Sequence, residues 1–284
     1  MLVDGKICVT FIKMEKEFKD WWLSWELPKN SLRNIYGIGY SYEQIFNENG
    51  IKTIEKLIKS NYKKIPLNNG RFLSEEKFNK FKLHAKSYKN KKVYFVNNGW
   101  DILPSKKIIY FDIETDLACE KIWLIGILKD GKFIRLYADR WSQEKRILKE
   151  FLNILKESKG YYLFSYSSTS FDFRVTKNAL IRRKIDFEEL EKFEHYDICT
   201  WIRKSFIFPK QSYALKVIGN YLKYPFKNKD MCGFDVAVAY EDHLKTKKKL
   251  PKKIFEYNKD DVYSIPYIVN KLNNRRLKWQ NHKL

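Results

Sequence analysis

The run Ile108-Ile109-Tyr110-Phe111-Asp112-Ile113-Glu114-Thr115-Asp116 constrains the fold more than any other stretch of the chain. Its first four residues are apolar, β-branched or aromatic, as in a central strand covered on both faces. The strand then ends in acid. Asp112 and Glu114 are two residues apart, so both carboxylates lie on one face, with Cβ atoms roughly 6–7 Å apart. Two carboxylates that close at the dry end of a strand repel each other, and one stays protonated unless a cation sits between them. A divalent ion removes the conflict, and hard oxygen ligands favour Mg²⁺ or Mn²⁺. The same residues also fit a strand that runs out into an acidic, solvated turn.

The chain has 284 residues, enough for one large domain or two small ones, and its 44% hydrophobic content supplies a core. Lys and Arg number 56 against 34 acids, a net charge of +22. A balance this basic repels itself without an anionic partner, and nucleic acid is the partner it suggests. An AT-rich coding sequence, which enriches Lys, Ile and Asn together, gives the same excess with no partner at all. Cys8, Cys119, Cys199 and Cys232 are spaced for neither a zinc knuckle nor a disulfide framework. Reduced, mostly buried thiols in a cytoplasmic protein are expected. His84, His195, His243 and His282 are equally scattered, which argues against a His/Cys zinc site. No signal peptide is expected, because Asp4, Lys6 and Lys13 interrupt any apolar leader. No apolar run reaches the length of about 18 residues that marks a membrane-spanning helix.

Residues 1–100 are predicted to form a smaller, mainly helical domain. Lys6 to Ile12 fits a strand. Trp21, Trp22 and Trp25 fit core or an inter-domain contact, with base stacking as the alternative. Further on, Gly37 and Gly39 bracket an apolar Ile38, and a helical pattern follows through Ile45 and Phe46. Asn49-Gly50 stops that helix, and Thr53 caps a second short one holding Ile54, Leu57 and Ile58. This stretch, residues 34–60, resembles the helix-hairpin-helix module. There a Gly-apolar-Gly turn offers backbone N–H groups at a helix N-terminus to a DNA phosphate. The resemblance makes Gly37, Ile38 and Gly39 candidate nucleic-acid contacts. Glu43 departs from the pattern, where a small apolar residue is usual, and an acid facing the turn opposes a phosphate. A helical packing unit that touches no DNA fits the same residues. In residues 74–90, Ser74 caps a helix with Glu75 and Glu76 in its first turn. Phe78, Phe81, Ala85 and Tyr88 share its buried side, and five lysines lie largely elsewhere, as a solvated face or a contact with nucleic acid. The turn Asn97-Asn98-Gly99-Trp100 places a domain boundary near residue 100.

Residues 101–284 read as α/β. The acidic strand comes first, followed by strands over 122–128 and 133–137 joined at Asp130-Gly131, a strong hairpin signal. A helix from Ser142 to Leu155 carries Ile147, Leu148, Phe151, Leu152 and Leu155 on one face. A strand over 161–164, a helix opened by Phe171-Asp172 and a short strand over 193–198 come next. The remainder is predicted helical over 213–224, 233–245 and 254–273, with six lysines in Lys245–Lys253 and a basic tail from Lys271 that is expected to fray. This order predicts a ribonuclease H-like fold, a mixed five-stranded sheet flanked by helices.

Three acidic positions follow one another in this part. Asp112 and Glu114 end the first strand, Asp172 follows Phe171, and Asp261 lies in Tyr257-Asn258-Lys259-Asp260-Asp261. Tyr257 and Asp261 are four apart and share a helical face, whereas Asp260 is turned about 100° away. Asp-x-Glu on a first strand, Phe-Asp at a helix start and Tyr-x-x-x-Asp on a late helix resemble the three motifs of the DEDDy, DnaQ-like 3′→5′ exonucleases of the ribonuclease H-like superfamily. His195-Tyr-Asp-Ile198 and Ser212–Leu222 look most like the YprB-like branch. Ser167 stands where members often carry Asn, which bears on a substrate contact and on no metal ligand. The resemblance implies hydrolysis to nucleoside 5′-monophosphates, with two divalent ions, Mg²⁺ or Mn²⁺, on Asp112, Glu114, Asp172 and Asp261, and with Tyr257 orienting the attacking water.

Physical chemistry runs alongside. Hydrolysing a phosphodiester moves negative charge onto the attacking and leaving oxygens, and four carboxylates nearly neutralise two divalent ions able to stabilise both. A phenol of ordinary pKa about 10 is a poor base at neutral pH, so Tyr257 is assigned an orienting role. The lysines attract a backbone without reading sequence, a single strand suits a site that takes one terminal nucleotide at a time, and DNA is expected over RNA. Tyr166, Phe171 or Phe173 is placed to stack on a terminal base, or else to pack in the core. The competing readings are a structure-selective endonuclease on the same fold and a nucleic-acid-binding module without catalysis. The N-terminal domain is open to a role in docking a DNA-repair or replication protein.

Overall fold

A computed structural model describes residues 27–67, 69–96, 107–167 and 170–280, with the backbone alone for 275–280, and two short strands near the N-terminus. The chain divides into two compact units, Met1–Val96 with Ser205–Tyr213, and Asn97–Lys204 with Ala214–Leu284.

In the first unit β1 (Leu2–Val3) pairs antiparallel with β2 (Lys6–Ile7). The rest of the predicted Lys6–Ile12 strand, the Trp21, Trp22 and Trp25 cluster and the Asn97–Trp100 turn lie outside the described residues. Helix α1 (Tyr40–Glu48) follows a turn in which Gly37 holds φ +83°. A Cβ there would also lie 3.2 Å from the Phe81 ring, so backbone and packing both call for glycine. Gly50, at φ +75°, leads the chain out of α1. Helix α2 (Ile54–Lys59) starts where Thr53 Oγ1 accepts the Lys56 N–H at 3.1 Å. Helix α3 (Glu75–Asn90) starts where Ser74 Oγ accepts the Lys77 N–H at 3.3 Å. Leu32, Phe46, Leu57 and Phe78 are fully buried between these helices. Strand β3 (Tyr94–Phe95) pairs antiparallel with Phe206–Ile207, a segment that the sequence alone assigns to the C-terminal part. Phe206, Ile207 and Phe208 are all buried there, and Gln211 Nε2 donates to Asn34 Oδ1 at 2.8 Å.

The second unit is built on the strands β4 (Ile108–Thr115), β5 (Ile122–Lys129), β6 (Lys132–Tyr137), β7 (Tyr162–Ser165) and β8 (His195–Asp197), in the spatial order β6-β5-β4-β7-β8. Strands β4, β5 and β6 run antiparallel, and β7 and β8 join parallel to β4. The acidic strand is therefore central, as its composition requires. Asp130 and Gly131 both take positive φ, the two-residue hairpin turn that suits a twisted ribbon. Helix α4 (Glu144–Lys156) buries the five apolar residues expected of it. Helices α5 (Phe171–Arg182), α6 (Glu188–Glu191), α7 (Ile198–Ser205), α8 (Leu215–Tyr221), α9 (Gly233–Thr246) and α10 (Lys252–Gln280) complete the unit. This is the mixed five-stranded α/β sheet flanked by helices that the sequence predicts. Helix α10 runs further than predicted, to Gln280, and the last four residues of the basic tail lie outside the described residues. Among the described residues no helix is long and apolar enough to cross a membrane.

One buried charge ties the far side of the sheet together. Glu144 is fully buried, accepts the Ile122 N–H at 2.8 Å, and pairs with Arg182 at 2.6 Å and Arg183 at 2.5 Å. Removing one partner of a buried pair costs about 3–5 kcal/mol. Here the arginines are about one-third exposed and can turn to water, which lowers the cost. The Glu144→Ala chain is expected to lose about 2–3 kcal/mol in a urea melt. A loss within about 0.5 kcal/mol, the range of ordinary surface changes, rules out this role.

Candidate functional site

The tip of β4 gathers the acids. Period two places Asp112 and Glu114 on one face, opposite Gly126 and Leu124 of β5. Helix α5 carries Asp172 in its first turn. Helix α10 carries Tyr257 and Asp261 one turn apart, on one face. Glu114, Asp172 and Asp261 are 6%, 3% and 6% exposed, and Asp112 is half-buried.

These carboxylates lie in one another's fields. Burial holds the Asp112 carboxyl well above the usual range, and the charges of Glu114, Asp172 and Asp261 add to that. Glu114 is raised by burial, then by Asp261 and Asp172, against Asn258 and Lys216. Asp172 is pushed up to about 7, by burial first, with Asp197 adding to it and a Ser165 hydrogen bond opposing it. The Tyr257 phenol is pushed far up by burial and by Asp261, Glu114 and Asp112. So Asp112, Glu114, Asp172, Tyr257 and Asp261 come together from three distant segments.

The donor set suits a hard divalent ion, since it consists of oxygens. Glu114 Oε1 and Asp172 Oδ2 are buried and accept no hydrogen bond, a costly state that a cation would relieve. Among the described residues no three acidic, His or Cys side chains close on a single point.

A family model described as the RNase_H superfamily matches residues 109–273. The chain belongs to the RNase_H superfamily. No curated protein matches it. Among solved structures it is similar to the family B DNA polymerase from the hyperthermophilic archaeon Pyrobaculum calidifontis, at 17% identity and a TM-score of 0.47. That likeness covers 60% of this chain and 25% of the polymerase chain, so the match spans a quarter of the polymerase's length.

The other predicted contacts of this RNase_H-superfamily protein have the following surroundings. Phe171 is half-buried, with the Arg174 guanidinium 5.9 Å from its ring centroid. Tyr166 is 8% exposed, and Phe173 stacks on His195 at 4.7 Å. Gly37, Ile38 and Gly39 belong to the first unit, with the glycines exposed and Ile38 buried. Glu43 is held by Arg33 at 2.8 Å and Ser31 at 2.7 Å, which neutralises it. Asp260 accepts the Lys227 N–H at 2.8 Å.

Several residues at the site carry no motif. Asn258 Nδ2 donates to Asp112 Oδ2 at 2.8 Å. Lys216 donates to the carbonyls of Asn228 and Met231, with its ammonium 4.2 Å from the Tyr257 ring centroid. Ser165 Oγ lies 2.9 Å from His195 Nε2, whose ring burial holds at a pKa of about 4, hence neutral. Asp197 accepts from the N–H groups of Ser167, Ser170 and Thr200 and so fixes the approach to α5. Ser167 Oγ accepts the Phe171 N–H at 2.8 Å, a capping bond at the head of that helix. In a chain with 56 Lys and Arg, nothing local distinguishes Lys216. Gly126, inside an otherwise apolar strand, is a readable signal of close approach.

Proposed function

We propose that the second unit is a divalent-metal-dependent nuclease of the DEDDy type. It removes nucleoside 5′-monophosphates from the 3′ ends of nucleic acid, with single-stranded DNA as the preferred substrate. One observation carries this reading: four carboxylates from β4, α5 and α10 meet against their own repulsion, three of them buried and Asp112 half-buried, with Tyr257 one helical turn from Asp261. Asp112, Glu114, Asp172 and Asp261 would hold two ions, Mg²⁺ or Mn²⁺. When bound, such ions lower the pKa of a water and stabilise charge on the attacking and leaving oxygens.

The chain's own groups do the positioning. Tyr257 keeps its proton at any working pH, so it donates a hydrogen bond and does not act as a base. Asp261, one helical turn away, shares its face of α10. The Tyr257→Phe chain is expected to lose about 10–100-fold in kcat with little change in KM, the pattern of an interaction made in the transition state. Single-turnover rates beside substrate titrations check this; a raised KM at unchanged kcat contradicts it. The net charge of +22 supports backbone binding without sequence preference.

The test is end-labelled DNA and RNA strands incubated with Mg²⁺, Mn²⁺ or EDTA. A ladder shortening from the 3′ end, absent in EDTA, is expected. The glycine turn before α1, with Glu43 neutralised beside it, favours a second reading in which the first unit docks on DNA and the enzyme cuts internally at junctions or flaps. A labelled circular single strand separates the two, since an exonuclease leaves it intact.

A further inference from the structure

Asn258 is fully buried at the middle of the site, yet only half of its amide is satisfied. Nδ2 donates to Asp112 Oδ2 at 2.8 Å and lies 3.4 Å from the Asp112 carbonyl oxygen. Oδ1 is buried without a hydrogen-bond partner. Across the ladder from Asp112 stands Gly126. A Cβ at Gly126 would lie 2.1 Å from Asn258 Oδ1 and 3.0 Å from Val262 Cγ2. The helix packs this closely only because that strand position has no side chain.

Both features are unfavourable by themselves. A glycine inside a strand is less favourable than an alanine, and a buried, unpaired amide oxygen keeps its desolvation penalty. An alanine facing a small apolar residue would fill the same space without either penalty. What the pair provides is an amide held against Asp112, with Nδ2 2.8 Å from the carboxylate oxygen Oδ2. That contact fixes the carboxylate's rotation, as outer partners do for metal-binding side chains.

We propose that Asn258 is a positioning residue of the metal site, one that holds Asp112 in a single orientation, and that Gly126 is the gap in β5 that admits it. This rests on the nuclease reading of the same acids.

The test is Mn²⁺ binding to the full chain without nucleic acid, by titration calorimetry and by electron paramagnetic resonance of free Mn²⁺. Asn258→Ala is expected to weaken binding about 10–100-fold. Asn258→Leu, which keeps the volume and removes the donor, is expected to do the same, so a collapse of packing in the alanine variant does not decide the matter. Gly126→Ala is expected to displace the amide and weaken binding similarly, but to add little in the Asn258→Ala background. In the nuclease assay the deficit of Asn258→Leu is largest at low Mn²⁺ and shrinks as Mn²⁺ is raised, which a general loss of structure would not produce. Parent-like Mn²⁺ affinity in Asn258→Leu, or losses that multiply in the double variant, overturns the proposal. Asp112→Ala separates the two levels. If it too binds Mn²⁺ like the parent, the metal site itself is wrong; if it alone is deficient, only the role of Asn258 falls.

Discussion

The Asp112→Asn chain is expected to be more stable than the parent in EDTA and inactive with Mg²⁺. Stability and activity move in opposite directions because the four carboxylates are gathered at a cost. Burial and the charges of Glu114, Asp172 and Asp261 all disfavour ionised Asp112 in the metal-free fold. An asparagine removes one of these charges and still offers an oxygen to Asn258 Nδ2, which now bonds Asp112 Oδ2 at 2.8 Å. One relieved charge contact at an effective dielectric near 20 contributes about 1–3 kcal/mol. Hydrolysis is expected to fall at least about 10³-fold, or roughly 4 kcal/mol of barrier. Thermal melts in EDTA at pH 8 and initial rates in Mg²⁺ measure the two halves. A variant that cuts as well as the parent removes the site from consideration. One that is inactive but also destabilised points to Asp112 as a structural acid instead.

Mn²⁺ binding is expected to tighten about 30-fold or more between pH 5.5 and pH 7, at about tenfold per pH unit for each proton displaced. Asp172 carries the argument, since its carboxyl is pushed from 3.8 to about 7, first by burial. A raised carboxyl favours the folded state when protonated. That contribution is complete below the ordinary value and is lost as pH rises through about 7. The metal-free protein therefore loses this share of its stability between about pH 4 and 7. A bound cation restores it, so the rise in Tm on adding Mn²⁺ grows over the same window. Asp112 and Glu114 are raised in the same direction and steepen the trend. Calorimetry in two buffers of different ionisation enthalpy counts the protons: about one or more released at pH 6, and fewer at pH 8.5. An affinity flat across this range means that the acids are already ionised, and the shared field inferred for them is absent.

The two predictions draw on different layers of information. That β4 is central and ends in acid follows from Ile108 to Glu114 alone, because period two and apolar content act between neighbours. The Asp130-Gly131 hairpin and the Thr53 and Ser74 caps are equally local, each set by one residue's own backbone preference or side-chain reach. Tyr257 and Asp261 were readable as partners because one helical turn separates them. Family likeness then joined segments that no local rule connects.

Other features had no local cause to read. Ser205–Tyr213 joins the first unit because Phe206, Ile207 and Phe208 find cover and strand pairing there, more than 100 residues from β3 in sequence. Asn258 sits next to Tyr257, about 100° around the helix, and its importance depends on which helix face meets β5. Lys216 and Asp197 are ordinary polar residues until their partners are known.

By itself the sequence determined the five strands of the main sheet, most of the helices, the Thr53 and Ser74 caps and the candidate acids, since these arise from residues a few positions apart. The tertiary structure alone decided how the carboxylates are charged and which donors answer them. Those properties come from burial and from contacts such as Asn258 with Asp112, 146 residues apart. Electrostatic energy depends on distance through space, and only chain closure sets that distance.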